Sequence, residues 1–109
     1  MSGSGGSGYS GNFEPIDSCD SLFIETQLSS PKEEVINNIK EGDILDVNVH
    51  QMGTTSVVVV LHAGQIAGGV AAPQLQKLRE CIVQGTTYGA TVISKNDGQV
   101  RIRISARRA

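Results

Sequence analysis

The stretch PKEEVINNIKEGDILDVNV (residues 31–49) predicts a helix that ends at a glycine and is followed directly by a strand. An S-x-x-E capping box begins at Ser30, and Pro31 occupies the first helical position, where proline is well tolerated. Apolar residues recur on one helical face, which predicts a helix over residues 31–40. Gly42 fits the left-handed position that commonly ends a helix.

A second stretch, PQLQKLRECIVQGTTYGATV (residues 73–92), has the same organisation. Its proline and glycine are 12 residues apart, against 11 in the first stretch, and the two glycines, Gly42 and Gly85, are 43 residues apart. Apolar residues alternate after each glycine, as is typical of a half-buried strand. They are Leu45, Val47 and Val49 in the first stretch and Tyr88, Ala90 and Val92 in the second.

Other β-rich segments complete two similar halves. Further strands are predicted at residues 22–26, 56–62, 65–70 and 100–104. The continuous β-branched run in residues 56–62 predicts a strand that is covered on both faces. Asp97 and Gly98 form the dipeptide that most strongly favours a tight hairpin turn. Each half therefore reads as strand, helix, strand and strand, a βαββ unit.

Two βαββ units predict an α+β fold with six strands and two helices. Open strand edges invite pairing with other chains, so we expect the strands to form a small β-barrel or a strongly curved sheet. The alternative is a ferredoxin-like sandwich with an extra hairpin, in which residues 65–70 would be a loop. Residues 1–18 are rich in glycine and serine and are predicted to be a disordered tail, which leaves residues 19–109 as one globular domain.

The residues that could carry catalysis are few. Cys19 and Cys81 belong to no metal-binding motif, so no metal site is predicted. The sequence leaves undecided whether these two cysteines form a disulfide. His50 and His62 lie at strand ends, where an exposed or capping histidine is the ordinary case. We therefore expect no enzyme, no cofactor and no small-molecule substrate. No signal-peptide pattern and no apolar run of about 20 residues is present, which predicts a cytoplasmic protein without a membrane span.

Charge is distributed unevenly along the chain. Residues 1–50 hold nine acidic and two basic side chains, whereas residues 51–109 hold two acidic and seven basic ones. The candidate nucleic-acid-binding residues in the basic half are Lys95, Arg101, Arg103, Arg107 and Arg108, with Tyr88 as a stacking residue. The ordinary interpretation of Arg101 and Arg103 is a solvated strand face whose charges protect a sheet edge.

Residues 44–94 resemble the HIRAN family, small β-barrels that are attached to helicase-like proteins and bind single-stranded DNA ends. The resemblance rests on the hairpin SVVVVLHAGQIAGGV, the helix LQKLRECIVQG and the strand YGATVI. It implies a barrel and binding to single-stranded nucleic acid. The family's aromatic-rich first strand and its Asn-Pro-Tyr-Asp-like segment, which carry much of its ligand contact, are absent here.

The sequence as a whole predicts a non-enzymatic binding module. Its partner would be another protein or a second copy of the chain, bound through a sheet edge or an apolar face. The alternative is a single-stranded nucleic-acid-binding barrel that uses the face of Arg101 and Arg103.

Overall fold

The computed structural model describes residues 18–107, so the first 17 residues of the predicted tail (residues 1–18) and the predicted site residue Arg108 lie outside it, whereas Ser18 begins a helix. The described chain forms six strands and three helices, which confirms the predicted α+β class and adds one short helix. The strands are β1 (Phe23–Gln27), β2 (Ile44–Met52), β3 (Thr55–His62), β4 (Gln65–Gly69), β5 (Tyr88–Asn96) and β6 (Gln99–Ala106). The helices are α1 (Ser18–Ser21), α2 (Glu33–Ile36) and α3 (Leu75–Val83).

The six strands form one antiparallel sheet in the order β1-β6-β5-β2-β3-β4. The sheet is not closed, because its ladder ends at β1 on one side and at β4 on the other. The two ends meet at one isolated bridge, where the backbone N–H groups of Ser29 and Gly69 each donate to the other residue's carbonyl at 2.8 Å. Gln65–Gly69 is a strand and not the loop that the ferredoxin-like alternative required.

The core is built from the inward residues of the strands together with residues of α2 and α3. In β3 and β6 the side chains of Val58, Val60, Ile102 and Ile104 are fully buried in the main core cluster. Val59 is also buried, although it lies outside that cluster. The prediction that residues 56–62 form a strand covered on both faces is therefore confirmed for its middle part.

The predicted turns are confirmed by the backbone. Gly42 and Gly85 have φ values of 93° and 112°, a left-handed conformation that glycine adopts without steric cost. Asp97 and Gly98 have φ values of 52° and 84°, as a two-residue hairpin turn between β5 and β6 requires.

The predicted first helix is too long, and its predicted capping box is wrong. Helix α2 covers only Glu33–Ile36, and its N-cap is Lys32, without a side-chain cap hydrogen bond. Ser30 has a φ of 48° and lies next to the bridge residue Ser29, so the bridge and not the helix fixes its conformation. Two asparagines with low helix propensity follow α2 and are part of a turn.

A disulfide joins Cys19 in α1 to Cys81 in α3 across a sequence separation of 62 residues. It resolves the alternative that the sequence left open. The Tyr88 hydroxyl donates a hydrogen bond of 2.6 Å to the carbonyl oxygen of Cys19, so α1 is held by a covalent bond and a hydrogen bond. Within residues 18–107, no helix has the length and apolar character needed to cross a membrane.

Candidate functional site

Two outward surfaces of the sheet are candidate binding sites, and the first is the predicted basic face. Arg101 and Arg103 lie on β6, opposite Gln27 and Glu25 of β1. The Nε of Arg101 is 3.8 Å from a carboxylate oxygen of Glu25, and both side chains are largely exposed, so this ion pair is weak. The Arg103 guanidinium lies 5.6 Å from the centre of the Phe23 ring in a cation–π contact.

The other predicted basic residues have partners away from this pair. The Arg107 guanidinium donates a hydrogen bond of 3.0 Å to the Asp46 carboxylate, and its side chain lies across Gly89. The Lys95 ammonium donates a hydrogen bond of 2.9 Å to the carbonyl of Ile39, on the side of α2. Arg101 and Arg103 are therefore neighbours on β6, and Arg107 lies farther along the same outward side of the sheet, beside Asp46. Of the predicted basic residues that the structure describes, only Lys95 lies on the other side.

Tyr88 is not available as a stacking residue, which corrects the sequence prediction. Its side chain is only 1% exposed and belongs to the main core cluster. Burial raises the pKa of the Tyr88 hydroxyl, and the nearby Asp20 carboxylate raises it further. The signal was present in the sequence, because Tyr88 alternates with Ala90 and Val92 on the apolar side of β5.

The second candidate is a groove beside the Ser29–Gly69 bridge, which we call the bridge groove. Strands β3 and β4, the end of β2 and residues 29–32 surround a cavity of about 410 Å³ that is open to solvent on one side. Its apolar lining includes Met52, Val57, Val59 and Ile66, and its polar lining consists of Ser29, Ser30, Lys32 and His50. None of its lining residues is acidic.

Glycine keeps the bridge groove open at its centre. A Cβ atom at Gly69 would meet only ordinary contacts, at 3.6 Å from the Val58 carbonyl and 3.9 Å from the Ser29 carbonyl. A Cβ atom at the adjacent Gly68 would lie 2.6 Å from the Leu28 side chain, inside the core. Packing therefore demands glycine at Gly68, whereas Gly69 leaves space that a side chain would fill.

Four backbone hydrogen bonds lie beside the bridge groove. Ser29 and Gly69 bond to each other, the Lys32 N–H donates to Ala67 at 2.8 Å, and the Val70 N–H donates to Val58 at 3.0 Å. Over the described residues, the Lys32 and His50 side chains make no hydrogen bond or ion pair. Any ligand would therefore be held by side chains and not by addition of a strand at this point.

The two histidines are separated in the fold. His50 lines the bridge groove, whereas His62 ends β3 at the turn into β4 and is not among the lining residues. Between Ser18 and Arg107, no group of three or more His, Cys, Asp or Glu side chains is placed to hold a metal ion.

Sequence reasoning missed the bridge groove because three separate segments form it. The hairpin of β3 and β4 is indicated by the sequence, but the approach of residues 29–32 to that hairpin cannot be read from local patterns. The adjacent glycines of β4 were the one local signal, since paired glycines in a strand often mark a close backbone approach.

Comparison with known proteins returns no relatives: no family model matches the chain, and neither a curated protein nor a solved structure is similar to it.

Proposed function

We propose that the chain is a non-enzymatic binding module that docks a protein partner in the bridge groove. The observation that carries the proposal is an open aliphatic wall bordered by polar side chains without partners. Protein interfaces commonly combine an apolar centre with a polar rim. The arginines of the basic face, in contrast, already contact Glu25 and Phe23.

A matched pair of variants tests the proposal. Met52 and Ile44 are exposed to similar extents, 62% and 60%, but only Met52 lines the bridge groove. We expect Met52→Asp to weaken docking, because it places a charge against the apolar wall, and Ile44→Asp to leave docking unchanged. Docking is measured by NMR titration with peptides selected from a displayed library, and by light scattering over a concentration series.

The two measurements separate the classes of partner. A groove that binds peptides shifts the amide signals of Met52, Val57 and Gly69, and a groove that binds a second copy gives a dimer that Met52→Asp dissociates. A strict monomer for which no library peptide shifts those signals contradicts the proposal.

The alternative is binding of single-stranded nucleic acid, which the HIRAN resemblance of residues 44–94 implies, through the basic face of Arg101 and Arg103. Phe23 supports it, because this ring is 53% exposed beside Arg103 and could stack on a base. A salt titration of single-stranded DNA binding tests it. Binding that falls with salt and is lost in an Arg101→Glu, Arg103→Glu variant supports the alternative, and absence of binding at low salt rejects it.

We also propose that the domain consists of two βαββ units related by an approximate twofold axis. The strand order supports this, since exchanging the two groups of three strands reproduces the same neighbours. At the centre, Asp46 of β2 pairs with Gly89 of β5, and these residues are 43 apart, like Gly42 and Gly85. The Ser29–Gly69 bridge further supports a barrel-like arrangement, which an experimental structure without that contact would contradict.

The cytoplasmic location stays a prediction. The Cys19–Cys81 disulfide bears on it, because structural disulfides are rare in the reducing cytosol. Mass spectrometry of the chain recovered from its own cell with alkylated thiols would test it: two alkylated cysteines support the prediction, and an intact disulfide contradicts it.

A further inference from the structure

We propose that the ligand of the bridge groove is an extended segment of a partner protein that presents an aliphatic side chain beside a carboxylate. This inference rests on the proposed function and specifies its partner. Three features of the groove carry it: the apolar wall, the unpaired Lys32 and the paired backbone.

The wall selects an aliphatic side chain. Its apolar lining residues are aliphatic or thioether-bearing, and its volume of about 410 Å³ falls within the range of roughly 300–1,000 Å³ that is typical of ligand sites. Gly69 leaves its own position empty, so a branched side chain of the partner can approach the strand closely. Burying that side chain provides the apolar part of the binding energy.

The rim selects a carboxylate. Lys32 contributes the one lysine or arginine side chain among the lining residues, and no acidic lining residue neutralises it. Within the described chain the Lys32 ammonium has no acidic partner, which is also true of Lys40 and Lys77, but of these three lysines only Lys32 borders the apolar wall. The hydroxyls of Ser29 and Ser30 add donors on the same rim, so a carboxylate there receives charge-assisted hydrogen bonds.

The shape of the groove favours a protein segment over a small molecule. The cavity is open on one side, whereas small-molecule sites usually enclose most of the ligand surface. A protein segment brings the rest of its own surface as the missing wall. Because Ser29 and Lys32 already bond to Gly69 and Ala67 along the outer edge of β4, the segment docks there through its side chains and not as an added strand.

The test is a fluorescence polarisation titration of the intact, disulfide-bonded chain with labelled peptides. The probe is acetyl-Ser-Glu-Ile-Glu-Ser-amide, compared with the same peptide carrying Gln for both Glu residues and with one carrying Ala for Ile. We expect both replacements to weaken binding, the Gln peptide by about tenfold, since a hydrogen bond to a charged group is lost.

Two lysine variants provide the matched control. Lys32→Gln should weaken binding of the probe by about tenfold and remove the preference for Glu over Gln. Lys40→Gln removes an exposed lysine that does not line the groove and should leave both values unchanged. Thermal unfolding of each variant checks that neither substitution acts by destabilising the fold.

The outcomes separate this inference from the proposed function. If the Glu and Gln peptides bind equally and shift the amide signals of Met52 and Gly69, the partner needs no carboxylate. That result overturns this inference but leaves the proposed docking in the groove intact. If the chain forms a dimer that Met52→Asp dissociates and that the probe peptide does not displace, the occupant of the groove is a second copy. That result also overturns this inference but leaves the proposed function intact. If neither a peptide nor a second copy of the chain binds in the groove, both this inference and the proposed function are overturned.

Discussion

The hairpins β2–β3 and β5–β6 are alike on the inside of the sheet and different on the outside. Each places alternate residues of its second strand in the core, Val58 and Val60 in β3 and Ile102 and Ile104 in β6. The residues that alternate with these core residues face outward. They are Val57 and Val59 in β3 but Arg101 and Arg103 in β6.

The difference follows from what lies beside each strand. Beside β3, strand β4 and residues 29–32 form the bridge groove, and Val59 is only 6% exposed there. Beside β6 lies the short edge strand β1, whose Phe23 and Glu25 contact the two arginines. The two arginines lie on the second strand from the sheet edge and not on the edge strand. Their contacts with β1 give the arginine face a structural explanation that the apolar face lacks. For this reason the proposed binding site is the apolar face.

The largest expected effect concerns the Cys19–Cys81 disulfide, which joins α1 beside β6 to α3 beside β2. Tyr88 at the start of β5 is hydrogen-bonded to Cys19, so the loss of the disulfide acts on that strand through α1. Replacing Cys19 and Cys81 together by serine should lower the free energy of unfolding by roughly 4 kcal/mol, because the disulfide closes a loop of 62 residues. Chemical denaturation measures the loss. Hydrogen exchange should rise more at the start of β5 than in β3, and equal protection in both hairpins would contradict this role.

Exchanging the outward residues tests the comparison directly. Val59→Arg should lower the free energy of unfolding by roughly 2–3 kcal/mol, because it forces a charge into a buried position or makes it reach outward for water. Arg103→Val should change it by only about 0.5 kcal/mol, as is usual for exposed sites. Similar losses in the two variants would show that the two outward faces are equivalent after all.

The adjacent glycines of β4 provide a smaller and sharper test. Gly68→Ala should lower the free energy of unfolding by roughly 1–2 kcal/mol, because its Cβ would lie 2.6 Å from Leu28 and 2.9 Å from the Ser29 carbonyl. Gly69→Ala should leave stability within about 0.5 kcal/mol and act only on binding in the groove. Thermal and chemical unfolding measure the stability of both variants. A larger loss of stability in Gly69→Ala than in Gly68→Ala would contradict the orientations assigned to the two residues.

Local patterns predicted the strands and turns of this fold well. Alternation located β2, β5 and β6, and Asp97-Gly98 located the last hairpin, because each signal depends on neighbouring residues only. The first helix was predicted too long because a long-range contact, the Ser29–Gly69 bridge, outweighs the capping pattern at Ser30.

The candidate site was much less predictable than the fold. The sequence identified Arg101 and Arg103 as outward residues, but not their contacts with β1, which depend on a pairing of distant strands. The bridge groove combines β3, β4 and residues 29–32, and it exists only because the two ends of the sheet meet.

The smallest effect concerns Tyr88, which lies three residues after Gly85, as Leu45 lies three residues after Gly42. Both side chains are buried, but only Tyr88 carries a hydroxyl, which donates to Cys19. Tyr88→Phe should lower the free energy of unfolding by about 1 kcal/mol, because it leaves that carbonyl without its donor. Chemical denaturation near neutral pH measures this loss.

Alkaline titration sharpens the same test. Because burial raises the pKa of Tyr88 in the folded state above its ordinary value of 10.0, the unfolded chain ionises first as the pH rises. The stabilising contribution of the neutral hydroxyl is complete below pH 10 and is lost as the pH rises through the folded-state pKa. The stability difference between the parent and Tyr88→Phe should therefore stay constant up to about pH 10 and shrink above it. If the stability difference stayed constant at all pH values, the Tyr88 hydroxyl would be as accessible in the folded chain as in the unfolded one. The second hairpin would then lack the buried hydroxyl contact that distinguishes it from the first.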